Sequence, residues 1–153
     1  MSDFVSRSSV DNIGFNLVVG CHVYATPAAS AAERHGMWSA LERRYLPWRD
    51  WDGVPHGSDG AAWQAQLHVY QYPFYYIDYV LAELVALQLM ERSLRDPSGA
   101  WEAYQRLCDA GGSKGFRELV RDAGLGDPFD PAVVAEVAAS AEATLESLWA
   151  GEA

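Results

Sequence analysis

Between His68 and Tyr79 the chain reads His-Val-Tyr-Gln-Tyr-Pro-Phe-Tyr-Tyr-Ile-Asp-Tyr, which places one imidazole and five phenols in twelve residues. Phenols and an imidazole gathered at a helix start can donate hydrogen bonds to the oxyanion that forms when a carbonyl is attacked. The same residues can equally form an amphipathic layer in which each hydroxyl finds an ordinary partner. Tyr76, Tyr79 and Glu83 fall at i, i+3 and i+7, so they share one helix face. His68 beside a tyrosine donor could also act as a general acid or base. Asp78 and Glu83 form the most obvious carboxylate pair, but five residues apart on a helix they point in different directions. Salt-bridged or solvated carboxylates are the simpler reading.

Other chemistry is thinly represented. The four histidines, at 22, 35, 56 and 68, include no i, i+4 pair of the kind that lets a helix grip zinc. Cys21 and His22 adjoin on an irregular segment and make no metal site. Trp48, Trp51 and Trp63 could line a peptide groove or the edge of an aromatic core. Gly111-Gly112-Ser113-Lys114 lacks the spacing of a phosphate loop and follows no strand, so a helix end joined to a helix start explains it better.

The elements that must position these residues are helical. Ser30 with Glu33 forms a capping box that opens a helix ending at Pro47. Met37, Trp38, Leu41 and Tyr45 fall on one face of it, with Glu33, Arg34, Glu42 and Arg43 on the other. Trp48 to Gly60 reads as a loop, and about Gly60 to Tyr70 as a short helix that delivers His68. Pro73 suits the first turn of the next helix, which runs to about Arg95. Its apolar residues lie almost all round, the pattern of a helix buried on most sides. Asp96-Pro97 separates it from a helix with Trp101, Tyr104, Leu107 and Cys108 on one side, closed by Gly111-Gly112. Ser113 caps a further helix that ends at Gly124 and Gly126, and Asp130-Pro131 opens the last. Residues 1–20 show little periodicity and read as a loose lead-in.

Composition removes several classes of function. At 153 residues, half of them hydrophobic, the chain can bury a core and is not wholesale disordered. A net charge of −10 argues against a nucleic-acid partner. No apolar run reaches the roughly 18–20 residues of a membrane span. The patch Ile13 to Gly20 is broken by Asn16 and lacks an Ala-x-Ala-like site, so it does not read as a signal peptide. Two cysteines without a framework fit a reducing, cytoplasmic setting.

Three blocks, in order, resemble oligoendopeptidase F-type zinc metallopeptidases, relatives of thimet oligopeptidase. The first is His22-Val-Tyr with the helix Ala32 to Leu46. The second runs from Trp63-Gln-Ala-Gln-Leu-His68 through Pro73-Phe-Tyr-Tyr-Ile-Asp-Tyr79 to Leu87-Gln88. The third is Leu107 to Phe116 with Glu118-Leu-Val, Ala123-Gly-Leu and Asp127-Pro-Phe129. Together they span about residues 21 to 145. The resemblance implies an all-α fold, a bundle of about six helices forming the C-terminal lobe of the catalytic domain, with residues 1–20 a lead-in and 21–153 the helical domain.

In that family zinc is held upstream by an H-E-x-x-H helix and a further Glu. This chain contains no H-E-x-x-H, so no metal ligands and no cofactor of its own are expected. The resemblance implies that His68, Tyr76 and Tyr79 are the catalytic, substrate-side residues, with Tyr72 and Tyr75 in substrate binding. The first reading is therefore a partial metallopeptidase domain that supplies the oxyanion side of a peptidase site to a zinc-carrying partner chain. The alternatives are a repurposed stand-alone protein, as a monomer or a homodimer, that binds a peptide or small ligand, and a metal-free enzyme using His68 as acid/base.

Overall fold

The structure, a computed structural model, describes residues 18–150. Among them seven α-helices are joined by turns and short 3-10 segments, with no strand. Helix α1 covers 18–25. It is followed by α2 (Ala31–Tyr45), α3 (Leu67–Gln71), α4 (Tyr76–Arg95), α5 (Pro97–Ala110), α6 (Phe116–Asp122) and α7 (Pro131–Ala150). The chain divides between Val80 and Leu81 into two compact units, a boundary that falls inside α4.

The first unit is organised by α2. Its capping box forms as the sequence predicts: Glu33 N–H donates to the Ser30 hydroxyl, and Ser30 N–H donates to the Glu33 carboxylate at 2.7 Å. Trp38 and Leu46 are almost wholly buried with Val19, Val23, Trp63 and Val69, and Met37, Leu41 and Tyr45 pack against them. The lead-in therefore ends earlier than the sequence suggests. Residues 18–20 are already helical and Val19 is a core residue, while residues 1–17 lie outside the described ones.

Glu42 was expected on the solvated face of α2, and the structure corrects this. It is buried, because Arg49 Nη1 and Trp51 Nε1 each donate to one of its carboxylate oxygens at 3.0 Å. A buried carboxylate is tolerable only when its lone pairs are met in this way. The loop after α2 is thereby tied back onto the helix. Gly60 brings the same loop in close, since a Cβ there would stand 2.2 Å from the carbonyl oxygen of His35, and its φ of +71° suits glycine.

The helix expected over Gly60 to Tyr70 is broken up. The chain instead makes 3-10 turns at Gly57–Asp59 and Ala62–Ala65, and only Leu67–Gln71 is α-helical. Pro73 likewise stands before α4 and not inside it. Tyr72, preceding the proline, is driven out of the helical region to φ −134° and ψ 71°. Phe74 takes a left-handed φ of 64°, and only from Tyr76 is the chain α-helical, ending at Arg95 as the sequence predicts.

No residue of α4 is fully buried, and Leu94 is 64% exposed. The expectation of burial on most sides is therefore not met: a helix apolar all round needs neighbours on every side, and the described residues supply them only in part. In the second unit, α5 opens on Asp96, whose carboxylate accepts from Gly99 N–H at 2.9 Å, and closes on Gly111. Trp101 and Tyr104 do share a side of α5, with ring centroids 5.5 Å apart, but that side is exposed. The buried positions of α5 are Gly99, Ala100 and Ala103, small residues that let it approach the buried Val120 and Ala123 closely.

Ser113 does not cap α6. It sits in a 3-10 turn and Gly115 is the N-cap residue. Lys114 donates to the Asp122 carboxylate at 2.6 Å, so the one cation of the glycine-rich turn is already paired, which agrees with the reading of Gly111-Gly112-Ser113-Lys114 as a helix junction. Gln88 fastens α4 to the turn after α6, donating to the Gly126 carbonyl and accepting from Gly126 N–H at 2.7 Å.

Two outcomes follow for stability. Glu42→Ala strands the Trp51 and Arg49 donors, and chemical denaturation should register a loss of about 1–3 kcal/mol, with Glu42→Gln costing less because it keeps an acceptor. The Asp127 carboxyl is held below its ordinary value, first by the hydrogen bond from Arg117, then by the Phe129 N–H. A depressed carboxylate stabilises the fold above the unfolded-state value, and that contribution disappears as pH falls through the folded one. Asp127→Asn should therefore flatten the acid side of the stability profile below about pH 4, and an unchanged profile would remove the pair from the account.

Candidate functional site

His68 is delivered by α3, a five-residue helix whose buried residue is Val69. The Tyr24 hydroxyl on α1 donates to the Val69 carbonyl at 2.7 Å, and the Tyr24 ring lies 4.6 Å from that of Phe74. These contacts fix both sides of the turn that leads into α4. Around the imidazole the structure gathers all four phenols singled out in the sequence. Tyr75 stacks nearly parallel on it, with centroids 5.3 Å apart and planes 8° apart. Tyr76 is at 4.9 Å and Tyr72 at 6.0 Å, both tilted, while Tyr79 meets it edge-on at 6.1 Å. Tyr76 and Tyr79, one turn apart, are 6.2 Å from each other. The fifth phenol, Tyr70, stacks instead on the core residue Trp63 at 6.0 Å.

The phenols differ in surroundings. Tyr72, Tyr75 and Tyr79 are exposed, whereas Tyr76 is half-buried and its hydroxyl donates to Gln66 Oε1 at 2.7 Å. Burial raises the Tyr76 phenol above the ordinary tyrosine value, and the neighbouring Tyr79 and Tyr24 phenols push the same way. Tyr75 is raised too, first by the charge Tyr79 would carry on ionising and then by a hydrogen bond with it. Phenols held in this state stay protonated at neutral pH and offer O–H donors. The cluster is thus a partly exposed group of rings about one imidazole, with the exposed hydroxyls of Tyr72, Tyr75 and Tyr79 available as hydrogen-bond donors.

The donor set does not fit zinc. Among the described residues no three of His, Cys, Asp and Glu come together, so Cys21, His22, Asp78 and Glu83 are not gathered into a metal site. The imidazole of His68 is surrounded by phenols, two of them biased against the deprotonation that a metal ligand needs. Of the tryptophans considered for a groove, Trp63 is 5% exposed within the core and Trp51 is occupied with Glu42, which leaves Trp48 exposed and outside the ring contacts of the cluster. Gln66 and Tyr24 were not singled out in the sequence as site residues. Gln66 lies two residues before His68, but neither the helical period nor a motif marks it, because its partner is ten residues away.

The fold is that of a helical, peptidase-related portion of a larger catalytic domain. More particularly, it resembles the C-terminal part of oligoendopeptidase F-type peptidases, without their H-E-x-x-H zinc motif. A solved structure of PZ peptidase A with inhibitor 2 superposes with a TM-score of 0.80 at 41% identity, over 90% of this chain and 25% of that one. An X-ray structure of a protein assigned as an oligoendopeptidase F gives 0.79 at 39% identity, over 90% of this chain and 24% of that one. The chain thus spans about a quarter of the length of the solved structures it matches. No protein-family model matches the chain, and no curated protein matches it significantly. No helix among the described residues is long and apolar enough to cross a membrane.

The raised phenols give a spectroscopic expectation. In an alkaline titration followed by tyrosinate absorbance, the late-ionising component should shrink in Tyr76→Phe, with other raised phenols such as Tyr75 still contributing to it. A titration with no such component in the wild-type chain would contradict the burial assigned to Tyr76.

Proposed function

We propose that this chain supplies the substrate-side face of an oligoendopeptidase F-like peptidase site. The observation that carries this is the assembly of Tyr72, Tyr75, Tyr76 and Tyr79 around His68, in a chain that superposes on one quarter of two peptidase structures. In this reading a peptide lies against the aromatic cluster, with Tyr72 and Tyr75 contacting its backbone and flanking side chains. His68 and a tyrosine hydroxyl donate to the scissile carbonyl oxygen, more strongly as negative charge develops on it. The water-activating metal and its general base belong to another polypeptide portion, since this sequence carries no H-E-x-x-H and its described residues gather no metal set. No cofactor is assigned to this chain, no nucleic acid or membrane is a partner, and the setting is cytoplasmic.

Complementation tests this. The chain is mixed with the zinc-carrying remainder of an oligoendopeptidase F-type peptidase, and cleavage of an internally quenched peptide is followed. Chelator-sensitive hydrolysis that needs both components is expected, falling about 10²–10³-fold with Tyr79→Phe, the size of effect seen when one oxyanion donor is lost, and falling strongly with His68→Ala. Hydrolysis indifferent to both substitutions would sink the assignment. A chain that alone binds peptides as a homodimer without turnover would favour a repurposed binding protein. Turnover by the chain alone, untouched by chelators and lost in His68→Ala, would favour a metal-free enzyme.

A further inference from the structure

We propose that Gln66 is a positioning residue that accepts the hydroxyl hydrogen bond of Tyr76 and so leaves Tyr79 as the tyrosine that donates to a substrate oxygen. This rests on the substrate-side reading above and divides the work among its phenols. The two candidates lie one helical turn apart on the same face, and nothing in their spacing separates them.

The hydrogen-bond geometry does separate them. A phenol has one proton to give, and that of Tyr76 points at Gln66 Oε1, 2.7 Å away in a half-buried position. For Tyr76 to donate to a substrate it must first break that bond, leaving a half-buried amide oxygen unmet. The backbone that carries Gln66 is held in place. It sits between a 3-10 turn and α3, its N–H donates to the Trp63 carbonyl at 3.0 Å, and its own carbonyl accepts from Val69 N–H at 3.0 Å. Trp63 and Val69 are both core residues, so the main chain from which the Gln66 amide extends is tied to the core on both sides.

Tyr79 has the opposite situation. It is exposed, and it stands edge-on to both His68 and Tyr75, the latter at 5.2 Å. Its neighbour Tyr75 is the phenol whose ionisation Tyr79 opposes, so Tyr75 remains a neutral donor able to support Tyr79 from behind. Held by Gln66, the Tyr76 ring packs 4.9 Å from the imidazole of His68, a neighbour to that ring and not a donor to substrate.

The test uses the intact chain with tyrosines labelled at the ring carbon bearing oxygen, resonances assigned by single Tyr→Phe variants, and a capped oligoalanine peptide as probe. In the wild type the peptide should shift the Tyr79 resonance and leave that of Tyr76 in place. In Gln66→Leu, where Tyr76 has lost its acceptor, the peptide should shift both resonances. Gln66→Glu, which keeps an acceptor, should behave as wild type toward the peptide and confirms that a lost hydrogen bond, and not a disturbed fold, is being read. A Tyr76 resonance that peptide still leaves in place in Gln66→Leu would overturn the lock, as would a wild-type Tyr76 resonance that moves with peptide as far as that of Tyr79. If Gln66→Leu moves the Tyr76 resonance itself but no phenol responds to peptide in any variant, the substrate-side reading fails and takes the donor role of Tyr79 with it, while the hydrogen bond to Gln66 stands.

Discussion

A helix of five residues cannot hold itself, because nucleating a turn fixes several backbone angles for very few hydrogen bonds. Helix α3 exists because its surroundings hold it, and the placement of His68 depends on that. Val69 anchors it in the core with Trp38 and Trp63, Tyr24 holds the Val69 carbonyl from α1, and the Tyr72 N–H closes its end on the His68 carbonyl at 3.1 Å. The imidazole is aimed by tertiary contacts from α1, α2 and the 3-10 turns. Loosening any of these would move the putting-together of imidazole and phenols before it altered any residue of the cluster itself. Phe74, with its left-handed backbone packed on Tyr24, makes the turn that brings α4 in at an angle where Tyr75, Tyr76 and Tyr79 can all reach one ring.

Much of the frame was legible in the sequence. Local chemistry with a short reach was read correctly: the capping box of α2, the Asp96-Pro97 start of α5, the glycine that ends it, and the extent of α4 at its C-terminal end. So was the core face of α2, because a large tryptophan and its apolar neighbours at helical spacing have few other places to go. The resemblance to oligoendopeptidase F-type peptidases, carried by three short blocks, is matched by the fold of two solved structures. The all-α class follows from the same features.

What was not legible depends on partners far along the chain. Glu42 reads as a surface residue by its charge, and only the arrival of Arg49 and Trp51 makes its burial affordable. On α5 the aromatic residues look like the buried face, yet the small residues pack inward because close helix approach rewards Ala and Gly over bulk. The late start of α4 follows from a left-handed Phe74 that no propensity predicts. Of the site itself, the identity of the phenols was readable from their density. Their inequality was not, since it is set by Gln66, whose amide could have bonded to many things.

That inequality bears on what such a cluster can do without a metal beside it. Hydrogen-bond donors accelerate a reaction only through interactions that strengthen as charge develops in the transition state. With no activated nucleophile to push charge onto the carbonyl, the same donors meet a neutral amide oxygen, and their contribution falls to that of an ordinary hydrogen bond, about 0.5–1.5 kcal/mol each. The aromatic rings, on the substrate-side reading, add apolar and stacking area to this, a contribution to holding a peptide and not to charge development on its carbonyl. On the substrate-side reading, recognition is therefore the part of the reaction that resides in this chain, and catalysis appears only when a second polypeptide portion brings charge to the oxygen that Tyr79 and His68 are placed to meet.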